Sequence, residues 1–388
     1  MTSYIQTVPL PSLKSLSYCN SSRTEALGDP WRVRADDRIG FFPRGAQAFV
    51  AAALSIADEA ECPVCFFPSY FCESSLQPLR QAGARIVFYR VNENLSPEWD
   101  DVRRRASIDH PDVFVLVHTF GHIQDAVEAK SFAYDVGCVV IEDAAHVLMP
   151  GKGIGESGGL VLFSPHKLLA SPPISLLSVP PSLADRVRTP YRMAWREADW
   201  KWLAKRMIQK GLVRLGGLGQ KVSPQGEGVN GAPEAPPYTI KWPTDISELG
   251  RRLLCTEQRK LMETARFRRT NFSTLMSAVE DIRGVRIPQI LSEWTDDATP
   301  YAFPFFVGEG KVSEVYNSLW ASGIPALTWP DLPPEIRAEP EKYSAASRWR
   351  RNLLLLPVHQ SLTTRQMNRI VSCLEHVLYQ SLHGIGCE

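Results

Sequence analysis

Three short apolar runs of the chain end in residues able to do chemistry: His118, then Glu142 and Asp143 with His146, then Ser164 with His166 and Lys167. The runs, 113–118, 138–143 and 159–164, are rich in β-branched residues and almost uniformly apolar, as strands buried on both faces of a sheet are. In an open parallel sheet ligands bind beyond the carboxyl ends of the strands, so His118, Asp143 and Lys167 are expected to converge on one crevice. Their separations, 25 and 24 residues, each match one strand-and-helix unit.

A lysine amine partly desolvated by Leu168 and Leu169 can form a Schiff base with a carbonyl. A carboxylate on a neighbouring strand end can keep a pyridine nitrogen protonated, which turns that ring into an electron sink. The two demands together describe pyridoxal 5'-phosphate, whose phosphate needs a cradle. Arg44-Gly45-Ala46-Gln47-Ala48 offers one: a glycine-led turn opening an alanine-rich helix, with free backbone N–H groups for an anion.

The elements that must position these groups alternate. Strands are expected at 85–91, 113–118, 138–143 and 159–164, with helices near 46–60, 74–83 and 124–136, the last closed by Gly137. This is the pattern of a doubly wound α/β domain. Residues 172–243 differ: they hold ten of the thirty prolines, and 185–221 carries ten Lys or Arg against three Asp or Glu. Residues 223–237, rich in Gly and Pro, are expected to form an exposed loop. From 246 a long amphipathic helix leads to a second unit with a strand at 301–307 and helices at 311–322 and 363–382. The expected organisation is an arm over 1–39, a large domain over 40–245 with an insert at about 185–237, and a smaller α/β domain over 246–388.

The composition narrows the class further. The chain has 388 residues, a formal net charge of +1 and a hydrophobic fraction of 44%, which excludes a disordered protein and any global attraction to nucleic acid or anionic lipid. Such contact would have to be local, through the basic stretch 185–221, where Trp195, Trp200 and Trp202 sit among arginines and lysines. Those tryptophans equally suit packing on a neighbouring subunit. The eight cysteines are too sparse for a disulfide scaffold, and Cys62-Pro-Val-Cys65 lacks the second ligand pair of a zinc site, so no metal is expected. No apolar run approaches a membrane span and no signal segment opens the chain, so a cytoplasmic protein with reduced thiols is expected.

Six stretches in order resemble the DegT/DnrJ/EryC1/StrS family of fold type I pyridoxal-phosphate-dependent sugar aminotransferases: 41–48, 67–72, 117–122, Ile-Glu-Asp-Ala-Ala-His (141–146), 163–169 and Leu-Pro-Val-His-Gln (356–360). The resemblance implies a doubly wound large domain with a smaller C-terminal α/β domain, assembled as a homodimer. It implies that Lys167 carries the cofactor and then shuttles a proton, that Asp143 pairs with the pyridine nitrogen, and that His146 lies near the phenolic oxygen. Gly45, Ala46, Gln47 and Ser164 would hold the phosphate, and Tyr70, Phe71 or Cys72 would face the ring. His118, His122 and His166 are expected to shape the substrate pocket and His359 to face the cleft from the second domain, although each could instead be a structural hydrogen-bonding group.

Two departures stand out. After the lysine, the family's Gly-Gly is replaced by Ala-Ser-Pro-Pro-Ile-Ser, which stiffens the backbone, and the loop that crosses to the partner subunit's phosphate is reduced to Thr239-Ile240-Lys241, leaving Lys241 as the cross-subunit ligand. The implied reaction moves an amino group from a donor such as glutamate to a keto group of a biosynthetic intermediate, in the family a nucleotide-linked keto sugar. Elimination, dehydration or carbon–carbon bond formation on a non-sugar substrate would use the same residues. A non-catalytic scaffold would need none of Asp143, His146, Ser164 and Lys167.

Overall fold

The computed structural model describes residues 5–12, 27–57, 62–189, 191–215, 244–280, 282, 284–291, 298–308, 310–329 and 331–383. Lys241 and the loop 223–237 lie outside the described residues.

Seven strands form one sheet: β1 (Arg38–Phe42), β2 (Val64–Pro68), β3 (Arg85–Tyr89), β4 (Val113–Val117), β5 (Val139–Ala144), β6 (Leu160–Phe163) and β7 (Ser175–Val179), in the order β1-β7-β6-β5-β4-β2-β3. Pairing from β3 through β6 is parallel, and β7 runs antiparallel to β6 and β1. Every residue of β4, β6 and β7 is buried, and β4 and β6 accordingly read as unbroken apolar runs, whereas β7 carries Ser175 and Ser178. Register pairs Val117 with Asp143 and Ala144 with Phe163, so the carboxyl ends of β4, β5 and β6 lie side by side.

The helices of this part are α1 (Gly45–Ile56), α2 (Glu73–Gln81), α3 (Trp99–Asp109) and α4 (Ala126–Val136). The α4 helix is bounded as its sequence demands. The Asp125 carboxylate accepts from the backbone N–H of Val127 and Glu128, both at 3.0 Å, and Gly137 ends the helix in the left-handed region at φ 78°.

Beyond β7, β8 (Arg192–Ala194) pairs in parallel with β9 (Asp245–Ser247), and α5 (Glu197–Leu215) follows β8. The long helix expected from 246 is broken: α6 (Glu248–Glu257) and α7 (Leu261–Val279) are separated by the tighter turn Gln258–Lys260. A four-stranded antiparallel sheet follows, with β10 (Val285–Arg286), β11 (Phe303–Val307), β12 (Leu327–Thr328) and β13 (Leu353–Leu356) in the order β10-β11-β13-β12. Helices α8 (Val312–Ala321), α9 (Pro334–Ala338), α10 (Ser344–Asn352) and α11 (Thr364–His383) complete it. The two sheets share one continuous apolar core, so the second sheet is held firmly against the carboxyl edge of the first.

Candidate active site

Between the carboxyl end of the large sheet and the β12/β13 edge of the small one lies a cavity of about 450 Å3. Asp143 enters it from β5, followed by Ala145 and His146, and Lys167 enters from the short turn Pro165–Lys167 after β6. Tyr70, Phe71, Phe120, Tyr301 and Trp329 form aromatic walls, and Thr119, Thr328, Ser74 and Ser75 supply hydroxyls. Strand alternation decides which carboxylate arrives: Glu142 and Asp143 are neighbours on β5 and point to opposite faces.

The polarity of the hydrogen bonds at Lys167 follows from His146. The Phe120 backbone N–H donates to His146 Nδ1 at 3.2 Å, so in the neutral imidazole the proton sits on Nε2. Nε2 faces Lys167 Nζ at 3.2 Å. When the amine is uncharged, the form that attacks a carbonyl, this contact can run from Nε2–H to the lysine lone pair. Burial first, and the Lys167 charge second, hold the His146 pKa well below its ordinary value, so the ring stays neutral. The ring is fixed by stacking on Tyr301, with centroids 4.1 Å apart and planes 7° apart, and Phe120 lies parallel on it at 6.0 Å.

Asp143 is almost fully buried, and its carboxylate accepts the Ala145 N–H at 2.9 Å. Burial raises its pKa, partly opposed by the Lys167 charge and by that hydrogen bond. A carboxylate in this state gains from any cationic N–H placed against it.

The glycine-led turn lies outside the lining of this cavity, beside the strand ends of β6 and β7. A Cβ on Gly45 would sit 3.3 Å from Leu162, 3.4 Å from Ser164 Oγ and 3.9 Å from Ser175 Oγ, so glycine is what lets Leu162 and the Ser164 hydroxyl approach the start of α1 this closely. The Ser164 and Ser175 hydroxyls are buried and 3.1 Å apart. Ala46 and Gln47 open the same helix turn and are buried beside Gly45.

All four histidines expected at the substrate pocket and cleft lie outside the cavity lining, and the hydrogen bonds of His118, His166 and His359 are those of the structural alternative. His118 does not line the cavity. Its Nδ1 accepts from the Gln124 N–H at 3.1 Å, and its Nε2–H donates to Glu142 Oε2 at 3.1 Å, on the Glu142 face of the sheet. Glu142 also accepts from Gly155 N at 2.7 Å and Ser157 N at 3.1 Å; with His118 these hold its pKa down against the opposing effect of burial. His359 faces away from the cavity, and its Nε2–H donates to the Gln6 carbonyl at 3.0 Å, tying residues 5–12 to the segment after β13. Burial pushes its pKa down to about 3. His122 is half-buried and outside the cavity lining. His166 also lies outside that lining and donates from Nδ1 to the Ile174 carbonyl at 2.9 Å, which braces the backbone next to Lys167. Tyr70, Phe71 and Cys72 all reach the cavity, so all three remain neighbours for a bound ring.

Sequence reasoning missed four participants. Tyr301, Trp329 and Phe120 are aromatic residues whose spacing carries no signal for a site. The fourth, Arg268 on α7, is fully buried, and its guanidinium donates to the carbonyls of Leu168, Pro300 and Tyr301 at 2.9–3.0 Å and to Gln360 Oε1 at 3.1 Å. Gln360 donates to the same Leu168 carbonyl at 3.0 Å. In the Leu-Pro-Val-His-Gln stretch it is therefore Gln360 that reaches the lysine turn, while His359 anchors the N-terminal segment.

No family model and no curated protein matches the sequence. Solved structures match over nearly its whole length. The aminotransferase TlmJ from Streptoalloteichus hindustanus superposes with a TM-score of 0.70 at 16% identity, covering 99% of this chain and 100% of TlmJ. DesV from S. venezuelae, in complex with a ketimine intermediate, gives 0.67 at 18% identity over 96% of this chain and 99% of DesV. NtdA from Bacillus subtilis, with bound cofactor PMP, gives 0.64 at 15% identity over 98% and 86%. The chain has the fold of these proteins, a large mostly parallel sheet joined to a smaller α/β unit.

Proposed function

We propose that the protein is a pyridoxal-phosphate-dependent aminotransferase that moves an amino group from an amino-acid donor such as glutamate to a keto group of a biosynthetic intermediate. The observation that carries this reading is the meeting of Lys167 Nζ, the neutral His146 ring and the buried Asp143 carboxylate in one aromatic-walled cavity. The residues fit the cofactor. The uncapped start of α1 at Gly45, Ala46 and Gln47, with the Ser164 and Ser175 hydroxyls beside it, suits a phosphate, Asp143 suits a pyridinium N–H, and Lys167 suits a carbonyl. When bound, pyridoxal phosphate supplies the electron sink that stabilises a carbanion at the donor's α carbon.

The chain's own residues supply the rest. Lys167 Nζ takes the proton from the substrate carbon and returns it, a contribution of roughly 10²–10⁴-fold. His146 orients that amine through Nε2, and Tyr301 and Phe120 keep the imidazole plane fixed. Arg268 and Gln360 hold the Leu168 carbonyl and with it the turn that bears Lys167. Aromatic walls exclude water and strengthen each charge interaction inside.

Membership of the DegT/DnrJ/EryC1/StrS family and a keto-sugar acceptor are part of the same proposal. It is supported by the order of the six sequence stretches and by the sugar aminotransferase CalS13 and the aminotransferase TlmJ among the chain's structural neighbours. A homodimer in the cytoplasm completes it; in support, all six described cysteines are free thiols, and light scattering tests the dimer. The test of function is visible absorbance of the purified chain with added pyridoxal phosphate, before and after excess glutamate. A band that bleaches with glutamate is expected. A band indifferent to every amino donor moves the reading to elimination, dehydration or carbon–carbon chemistry, and the absence of a band overturns the cofactor.

A further inference from the structure

We infer that Phe120 is a positioning residue: its left-handed backbone aims the Phe120 N–H at His146 Nδ1 and so keeps the proton of the neutral imidazole on Nε2, the nitrogen that faces Lys167. The inference deepens the cofactor reading above by naming what orients the ring beside the reactive amine, and its test requires no cofactor.

Three described residues other than glycine have positive φ: Leu95 at 59°, His110 at 45° and Phe120 at 59°. His110 stands just past the end of α3, and the Leu95 N–H closes a turn onto the Asn92 carbonyl, places where such a conformation is common. Phe120 alone of the three lines the cavity. A bulky side chain keeps this conformation only where its surroundings enforce it, and strain of this kind gathers at functional sites.

The surroundings here do enforce it. The Phe120 ring is buried, with the Trp329 ring edge-on at 5.4 Å and the Trp349 ring inclined by 24° at 6.1 Å. The next residue, Gly121, has φ 92°, and a Cβ on it would lie 2.7 Å from the Thr299 carbonyl oxygen and 3.4 Å from that of His146. Only glycine lets the chain pass this closely. The wedged ring on one side and the glycine on the other pin the Phe120 backbone between them.

That backbone serves His146 with both of its polar groups. The N–H donates to His146 Nδ1 at 3.2 Å, and the carbonyl accepts from the Tyr301 N–H at 3.1 Å. Phe120 and Tyr301 are also the two residues whose rings lie within 7° of parallel to the imidazole. A neutral imidazole has one proton for two nitrogens, and a donor aimed at Nδ1 favours the tautomer with Nε2–H. With the proton there, the ring offers Lys167 Nζ, 3.2 Å away, a donor; the other tautomer would offer an acceptor, the partner an ammonium seeks. The left-handed residue thus decides which hydrogen bond the lysine can make.

The test is nitrogen NMR of the cofactor-free full chain carrying isotope-labelled histidine, with the His146 signals identified by their loss in His146→Asn. The shifts of the two ring nitrogens report which of them carries the proton, and the unsubstituted chain is expected to show Nε2–H. Incorporating phenyllactate in place of Phe120 turns the amide into an ester, which removes the N–H and keeps the ring. The ratio of Nε2–H to Nδ1–H should then fall by about two- to tenfold, the range of one hydrogen bond. Phe120→Gly and Phe120→Ala both lose the ring, but glycine accepts positive φ freely and alanine does not. The glycine chain is expected to keep Nε2–H and to melt above the alanine chain, which should shift toward Nδ1–H. An unchanged ratio in the ester chain, an alanine chain that keeps Nε2–H as well as the glycine chain does, or an unsubstituted chain with its proton on Nδ1 each overturn the inference and leave the cofactor reading intact. Absence of a visible band with added pyridoxal phosphate overturns the cofactor reading and leaves the tautomer result standing.

Discussion

Glu142 and Asp143 are adjacent carboxylates on one strand, both buried, and they lead opposite lives. Glu142 is saturated: His118 and the N–H groups of Gly155 and Ser157 surround it and hold its pKa down. Asp143 accepts one backbone N–H, faces the cavity and Lys167, and has its pKa raised by burial. One face of β5 therefore builds scaffold and the other builds chemistry. A carboxylate that the fold has already satisfied stabilises the fold, whereas one left short of partners is available to a ligand.

The sharpest break in this contrast comes from Lys167, the amine on the chemical face. Lys167→Ala is expected to abolish the glutamate-driven bleaching of a bound cofactor and to lower transamination by at least roughly 10²–10⁴-fold, with the melting temperature little changed. Single-turnover absorbance checks this.

The carboxylates themselves give the next largest effects, in opposite directions. Asp143→Asn should reduce amino transfer by roughly 10²-fold or more, in line with the loss of a preorganised electrostatic contact. It should leave the melting temperature at neutral pH unchanged or higher. The sign follows from the raised folded pKa: any stability linked to Asp143 is fully present below its unfolded pKa and is lost as pH rises through the folded value. Glu142→Ala should cost about 3–5 kcal/mol of stability, because His118 and two N–H groups lose their partner. Its folded pKa is lowered, so the stabilisation it gives is present above the unfolded carboxylate range and is lost as pH falls through the folded value. Glu142→Gln should therefore flatten the acid side of the stability profile, which thermal melts across pH would record.

Arg268 tests how far the scaffold holds the chemistry. Arg268→Leu removes the donors to Leu168, Pro300 and Tyr301 and is expected to cost about 3 kcal/mol in denaturant unfolding, with a fall in the rate of the glutamate half-reaction rather than in cofactor affinity. The smallest expected effect is at Ser175. Ser175→Ala removes the hydroxyl paired with Ser164 beside the start of α1 and should weaken pyridoxal phosphate by about 1 kcal/mol, a few-fold in an absorbance titration, while leaving pyridoxal unaffected.

Much of the chemical face was legible in the sequence. Strands buried on both sides are continuous apolar runs, so 113–118, 138–143 and 159–164 fall within a residue or two of β4, β5 and β6, and their carboxyl ends bring Asp143, His146 and Lys167 together. His118 was misplaced because one apolar run does not say to which face the residue beyond it turns; the register with Glu142 decides that, and it is a property of the neighbouring strand. Strands β1, β2, β7 and β13 were not read. Leu-Leu-Leu-Leu in β13 carries no period that separates strand from helix, and β1 begins with a charged residue. The break between α6 and α7 has neither Gly nor Pro to mark it; it is made by the turn at Gln258–Lys260. Arg268 reads as one more charged residue on an amphipathic helix, and only the second sheet packed against α7 makes it a buried clamp. The aromatic lining, Tyr70, Phe120, Tyr301 and Trp329, comes from residues far apart in the chain, which no local pattern joins.

The central claim is that Lys167 is the amine that bonds the cofactor carbonyl. Borohydride reduction of the protein loaded with pyridoxal phosphate, followed by proteolysis and mass spectrometry, tests it most directly. The account predicts one reduced cofactor adduct per chain, on the peptide containing Lys167 and on no other lysine. An adduct on a different lysine, or none in a protein that binds the cofactor, would contradict it.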